Sequence, residues 1–235
     1  MICYAFAVPH ESRELVSLLK EKESFELHSM QCIVGKYKHR TILVATIGMG
    51  LGVSAKNAEV LLQYFRFKAM IMAGYGGALV PQLKRNEVVI AQNFSSEELL
   101  SFVRLLPHFQ FCNFCSTDEI VAEPARKAAF AQATQCQVVD METAAVADVV
   151  RSREKPFLAI RVISDEASDE LPVAAFKAGF DAVANRETPL KLCWYLLMRP
   201  MQINSFRQTV SRLVEARKSL TKFLVQLTDE LPSSW

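Results

Sequence analysis

The chain has 235 residues, 51% of them hydrophobic and 22% charged, with a formal net charge of +2. That length can bury a sizeable core and fits one α/β domain or two small ones. The near-neutral balance removes any global pull toward nucleic acid, and no apolar run approaches the roughly 18 residues of a membrane span.

Taken in order, the chain opens on Met1-Ile2-Cys3-Tyr4-Ala5-Phe6-Ala7-Val8, which lacks a basic leader and meets Pro9 early. It reads as a first strand at 2–8, not a signal peptide. Further strands are expected at about 31–37, 41–47, 69–74, 87–91, 111–115, 137–139 and 157–164. Helices are expected at about 11–20, 53–65, 123–133 and 143–151, with a short helix or excursion at 96–105. This alternation predicts an α/β fold with a mixed central sheet. After Pro172 the strands stop, and helices are expected at about 173–184, 190–198 and 204–227. The whole is expected to form one domain, 1–235, with 171–235 as a helical extension. In the last helix Phe206, Val210, Leu213, Val214, Leu220 and Leu224 share a face, and Arg207, Arg212, Lys218 and Lys222 decorate the rest. Such a helix packs on the domain or on a second subunit, or touches anionic lipid as an interfacial helix.

The six cysteines are scattered and mostly lie in apolar runs, as reduced, buried, cytosolic thiols do. Cys112-Asn113-Phe114-Cys115 has C-x-x-C spacing, but no helix start follows Cys112 and no second ligand pair accompanies it. The four histidines, His10, His28, His39 and His108, form no ligand pair. No metal and no cofactor is expected.

Two glycine segments each follow an apolar strand. Gly48-Met49-Gly50-Leu51-Gly52 opens a helix, but its spacing differs from the dinucleotide fingerprint G-x-G-x-x-G. Gly74-Tyr75-Gly76-Gly77-Ala78 lets backbone N–H groups face a ligand, with Tyr75 as a wall. Either segment also reads as a plain bend. Glu11 stands just past the first strand, as a candidate base or a helix-dipole partner. Asp118 reads as a turn or a helix cap. Val138-Val139-Asp140-Met141-Glu142-Thr143 and Arg161-Val162-Ile163-Ser164-Asp165 each end a strand on acids. Ligands bind at the carboxyl ends of strands in open α/β sheets. Glu142 and Asp165 therefore suggest one acidic site that handles hydroxyls and a proton.

These pieces, in this order, resemble the nucleoside phosphorylase and nucleosidase superfamily. The resemblance is nearest to the methylthioadenosine/S-adenosylhomocysteine nucleosidases and covers roughly residues 1–170. Asp140-Met141-Glu142-x-x-Ala with the downstream Arg161-x-x-Ser164-Asp165 is its specific part. The tail, from Leu171-Pro172 to Arg199-Pro200, looks more like the hopanoid-associated phosphorylase-like branch, linked to release of adenine from adenosylhopane.

The resemblance implies a three-layer nucleoside phosphorylase/hydrolase-like fold and cleavage of the N-glycosidic bond of a 5′-substituted adenine nucleoside. It gives Asp165 as the general acid at purine N7 and Glu11 as the group that activates water. Glu142 would grip the ribose hydroxyls and Met141 pack on the sugar. The backbone at Ile120 and Val121 would read the base edge, Gly48, Tyr75 and Gly76 would line the site, and Arg161 would orient the loop. Tyr75 stands where the nucleosidase pattern has a serine, and Ile120 where it has a stacking aromatic. The stretch 93–110 is shorter than the one that builds the family's distal pocket. The partners implied are a small nucleoside and a second copy of the chain, as a homodimer or larger, in the cytoplasm. The alternatives are phosphorolysis, cleavage of a lipid-linked nucleoside, and a non-catalytic nucleoside binder on the same fold. Against phosphorolysis, no arginine lies beside either glycine segment, although Arg13 is near, and the charge of Glu11 would repel phosphate.

Overall fold

The computed structural model describes residues 1–106, 109–174 and 203–232, together with 178, 180–181, 186–187 and 198. The strands are β1 (Ile2–Phe6), β2 (Lys20–Leu27), β3 (Met30–Tyr37), β4 (Arg40–Thr46), β5 (Met70–Ala78), β6 (Val88–Ala91), β7 (Gln110–Cys112), β8 (Phe114–Ser116), β9 (Val138–Asp140), β10 (Phe157–Asp165), β11 (Phe180–Asp181) and β12 (Arg186–Glu187). A 3-10 turn (Pro9–Ser12) leads into α1 (Arg13–Leu18). The other helices are α2 (Leu51–Tyr64), α3 (Glu97–Val103), α4 (Pro124–Thr134), α5 (Thr143–Ser152) and α6 (Ile203–Glu230).

The main sheet runs β2-β3-β4-β1-β5-β10-β6-β7, and β9 pairs with both β5 and β8. Its centre is parallel: β1 lies between β4 and β5, and β10 follows β5. Both faces of these strands are covered, so their residues are apolar at successive positions, and β1 is buried throughout. One face packs on α2 and α5 through Ala58, Leu61, Val146, Ala147 and Val150. The other packs on α1, α3 and α6 through Leu15, Leu99, Leu100, Val103, Leu220 and Leu224. Helices on both faces of a mixed sheet make the expected three-layer α/β architecture.

Three departures from the sequence expectation are observed. The helix expected at 11–20 gives way at Leu19 to β2, a strand rich in lysine and glutamate that is exposed along almost its whole length. Charged residues suit a sheet edge, and they hide the strand from pattern reading. The strand expected at 111–115 divides at Asn113, because β7 pairs with β6 and β8 with β9. Within the stretch expected as a helix at 173–184, Phe180–Asp181 instead pairs antiparallel with Arg186–Glu187. The helix expected at 190–198 lies outside the described residues, Met198 apart.

The third tail helix is observed, and its packing bears on the lipid expectation. Leu220, Leu224 and Leu227 are fully buried against the sheet, and the Tyr4 and Thr228 hydroxyls bond at 2.6 Å. This half of the apolar face is core, not an interfacial surface, while Val210 nearer its start is 40% exposed. No helix of the described residues is long and apolar enough to cross a membrane.

Candidate active site

Strands β1, β4, β5 and β10 run parallel, so their carboxyl ends lie together, and the acids singled out in the sequence collect there. Glu11 sits in the 3-10 turn after β1 and is 4% exposed. Its Oε2 accepts the Ala7 and Val8 N–H groups at 2.9 and 3.1 Å, and its Oε1 accepts the Tyr75 N–H at 2.9 Å. Gly74 permits this approach: a β-carbon there would stand 2.6 Å from Glu11 Oε1. The carboxylate is thereby locked between β1 and β5 by three backbone donors.

Tyr75 takes part through its backbone. Its ring stacks on His10 at 5.5 Å, and its hydroxyl donates to the Leu213 carbonyl of α6 at 3.2 Å. The side chain expected to line a wall of the site thus ties α6 to the turn that carries Glu11. Arg217 reinforces the tie through Glu14 at 2.5 Å and the His10 carbonyl at 3.3 Å.

The glycine segment after β4 serves Glu142. Gly48 and Gly50 adopt φ of +84° and +90°, a region that glycine enters freely. The Gly50 N–H donates to Glu142 Oε1 at 3.1 Å, so the anion met by this segment is a carboxylate of the chain itself. Asp118 proves to be a cap, though of a distant helix: its Oδ1 accepts the Leu51 N–H of α2 at 2.9 Å. That bond draws the 117–121 loop toward the glycine segment. In this loop Val121 is buried against Leu79, Cys136 and Val139, and Ile120 is half-buried.

Glu142 follows β9 and is buried, with half-buried Met141 beside it. Asp140 organises the turn, its Oδ1 accepting the Glu142 and Thr143 N–H groups at 3.4 and 3.2 Å and the Ser116 hydroxyl as well. Arg161, only 1% exposed, donates from Nε to Asp140 Oδ2 at 2.9 Å and from Nη2 to the Thr143 hydroxyl at 3.0 Å. Its Nη2 also lies 3.6 Å from Glu142 Oε2. One guanidinium thus faces two carboxylates. Burial and the charge of Asp140 push the Glu142 carboxyl up to about 8, against the pull of Arg161 and the Gly50 N–H, and Glu11 adds to the rise.

Asp165 ends β10 opposite Gly77, where a β-carbon on the glycine would stand 3.1 Å from Asp165 Oδ2. The register slips between Ile163 and Asp165, so Ser164 forms a bulge that re-aims the acid. The Ser164 hydroxyl lies 2.6 Å from Asp165 Oδ1 and 3.2 Å from the Gly76 carbonyl. Asp165 is 4% exposed and pairs through Oδ2 with Lys127 Nζ at 2.5 Å. Burial raises its carboxyl above the usual range, although Lys127 and Ser164 oppose the rise.

The sequence reading missed Lys127. A signal existed: Lys127, Phe130 and Ala131 fall three and four residues apart, on one face of α4, which places a cation on an inward stripe. The C-x-x-C pair divides between β7 and β8, and burial pushes the Cys112 and Cys115 thiols up to about 11 and about 12, away from nucleophilic character. Among the described residues no cluster of acids, cysteines or histidines has the makings of a metal site.

The profile of the phosphorylase superfamily matches residues 2–114 and 104–190, and the chain belongs to that superfamily. It is 25% identical to a 5′-methylthioadenosine/S-adenosylhomocysteine nucleosidase of Actinobacillus succinogenes, with 72% of this chain and 90% of the relative covered. It is 22% identical to an aminodeoxyfutalosine nucleosidase of Campylobacter jejuni, over 70% of this chain and 85% of the relative. Among solved structures, the S-adenosylhomocysteine nucleosidase of Streptococcus pyogenes in complex with 5-methylthiotubericidin superposes with a TM-score of 0.73 at 18% identity, covering 98% of this chain and 97% of the other. The futalosine hydrolase of Helicobacter pylori gives 0.74 at 20%, with 98% and 97% covered.

Proposed function

We propose that this member of the superfamily cleaves the N-glycosidic bond of an adenine nucleoside carrying a 5′ substituent, with water as the nucleophile. The observation that carries the reading is that three buried carboxylates from three separate elements stand at the carboxyl ends of the strands, two of them against glycines of β5. Gly74 abuts Glu11, Gly77 abuts Asp165, and Glu142 hangs from Gly50 between the segments after β4 and β9. Gly74 and Gly77 lie three residues, about 10 Å, apart along the strand, so both acids stand toward its carboxyl end.

The roles follow from the settings. Asp165, raised by burial, is the group that protonates purine N7, so that the base departs neutral instead of as an anion. Glu142 accepts the vicinal ribose hydroxyls, while Met141 packs on the sugar. Glu11, fixed by three N–H groups, keeps lone pairs for a water below C1′ and stabilises the oxocarbenium-like sugar. The backbone near Ile120 and Val121, moored through Asp118, reads the base edge. Water is favoured over phosphate because the cations Lys127 and Arg161 already hold Asp165 and Asp140, and the Gly50 N–H is taken by Glu142. The exposed apolar side chains Phe25, Val53 and Tyr64 suit a contact between copies of the chain.

The test is base release from adenosine, methylthioadenosine, adenosylhomocysteine and longer 5′-alkyl adenosines, each with and without phosphate. Free sugar formed without phosphate is expected, with Asp165→Asn folded and at least about 100-fold slower. Ribose 1-phosphate would make the enzyme a phosphorylase. Near-normal turnover by Asp165→Asn would remove Asp165 as the acid.

A further inference from the structure

Lys127 is wholly buried, and its ammonium has three partners: Asp165 Oδ2 at 2.5 Å, the Glu166 carbonyl at 2.7 Å and the Asp169 carbonyl at 3.1 Å. A buried ammonium is costly to desolvate, and filling space needs no charge. Both carbonyls belong to the loop that leaves Asp165, so one side chain of α4 fixes the acid and the backbone after it.

The other charges nearby are accounted for. Glu166 faces Lys84 at 3.3 Å and Arg85 at 3.5 Å, and Asp169 faces Arg85 at 3.6 Å. Asp169 still acts on Asp165 as a like charge. Glu11 stands against Gly74, and Glu142 accepts the Gly50 N–H. Among the described residues, Lys127 is the cation that Asp165 itself meets.

We propose that Lys127 is the positioning residue and resident counter-ion of the general acid: it clamps Oδ2, leaves Oδ1 to carry the transferable proton, and neutralises the carboxylate formed when that proton leaves. The inference rests on the reading of Asp165 as the acid. The Oδ1–H bond breaks as N7–H forms, and the C1′–N9 electron pair passes into the purine. Water closes the C1′–O bond and gives a proton to Glu11. Asp165 is left as a carboxylate against Lys127, and solvent returns the proton from Glu11 to Asp165. Ser164 follows the change. Its hydroxyl donates to the Gly76 carbonyl while Oδ1 holds the proton, and to Oδ1 afterwards.

The experiment is the pH profile of kcat for the wild type, Lys127→Met and Lys127→Arg. Activity needs protonated Asp165, so it falls on the alkaline side as that proton is lost. Without the ammonium the carboxylate is harder to form. The alkaline limb of Lys127→Met is expected to move up by about one pH unit or more. Its kcat at neutral pH should drop at least about tenfold, with KM little changed, and Lys127→Arg should recover much of the loss. A limb that stays in place in Lys127→Met, whatever its rate, overturns the proposal. Where Lys127→Met does not fold, the wild type still decides. The Lys127 ammonium nitrogen resonance should shift at the pH at which the Asp165 carboxyl titrates, and independent titrations would overturn the pairing. The two readings fail separately. An active Asp165→Asn brings down the acid assignment, whereas an inactive Asp165→Asn beside an unmoved limb brings down Lys127 alone.

Discussion

Glu142 is the side chain whose neighbours pull it in opposite directions. Burial and Asp140 favour its neutral form, while Arg161 at 3.6 Å and the Gly50 N–H favour its charge. Glu142→Gln keeps an acceptor for Gly50 and removes only the charge, so the turn should survive. Hydrogen bonds to a charged group are worth about 1.5–3 kcal/mol. Above about pH 8, where Glu142 carries its charge, the variant should therefore bind a 5′-substituted adenosine about 10- to 100-fold more weakly, which calorimetry reads directly. Unchanged affinity would mean that the ribose hydroxyls lie elsewhere. At this scale the sequence singled out Glu11, Glu142 and Asp165, and all three are buried. It was silent on direction. Tyr75 looked like a wall and sends its hydroxyl to α6, and Lys127, which belongs to no motif, meets Asp165.

Elements place those side chains, and α6 shows how. Its C-terminal half buries Leu220, Phe223, Leu224 and Leu227 against β1, β5 and β10, while Tyr75 and Arg217 link its middle to the Glu11 turn. Leu224→Ala removes a fully buried side chain and should cost about 2–5 kcal/mol. Denaturant melts should show a lower midpoint with an unchanged slope, whereas a loss below about 0.5 kcal/mol would mean that the helix is not core. Long, strongly patterned elements such as α2, α5, β5 and β10 were legible in the sequence, because apolar periodicity is imposed by the faces they cover. The edge strand β2 and the split at Asn113 were not, since each depends on which strand lies alongside.

For the whole molecule, the buried acids tie stability to pH. The folded-state carboxyl of Glu142 lies at about 8, above its ordinary value, so the folded protein holds that proton more tightly than the unfolded chain. The stability it contributes is complete below the ordinary glutamate range near 4.3 and is lost as pH rises toward about 8. Asp165 acts in the same direction. Glu142→Gln has no such proton to lose, so its stability relative to the wild type should climb between about pH 4.5 and 8. Parallel melting curves across that window would show that Glu142 titrates normally in the folded state.

The sequence by itself determined the alternation of strands and helices, the apolar runs that must be covered on both faces, and which acids stand at or just after the ends of strands. These are local properties, written in periodicity and residue type. Only the tertiary structure decided that Gly74 and Gly77 receive Glu11 and Asp165, that a bulge at Ser164 turns Asp165 to its place, and that a lysine from α4 waits there. Those contacts join segments tens of residues apart, and chain geometry fixes them only once the sheet has closed.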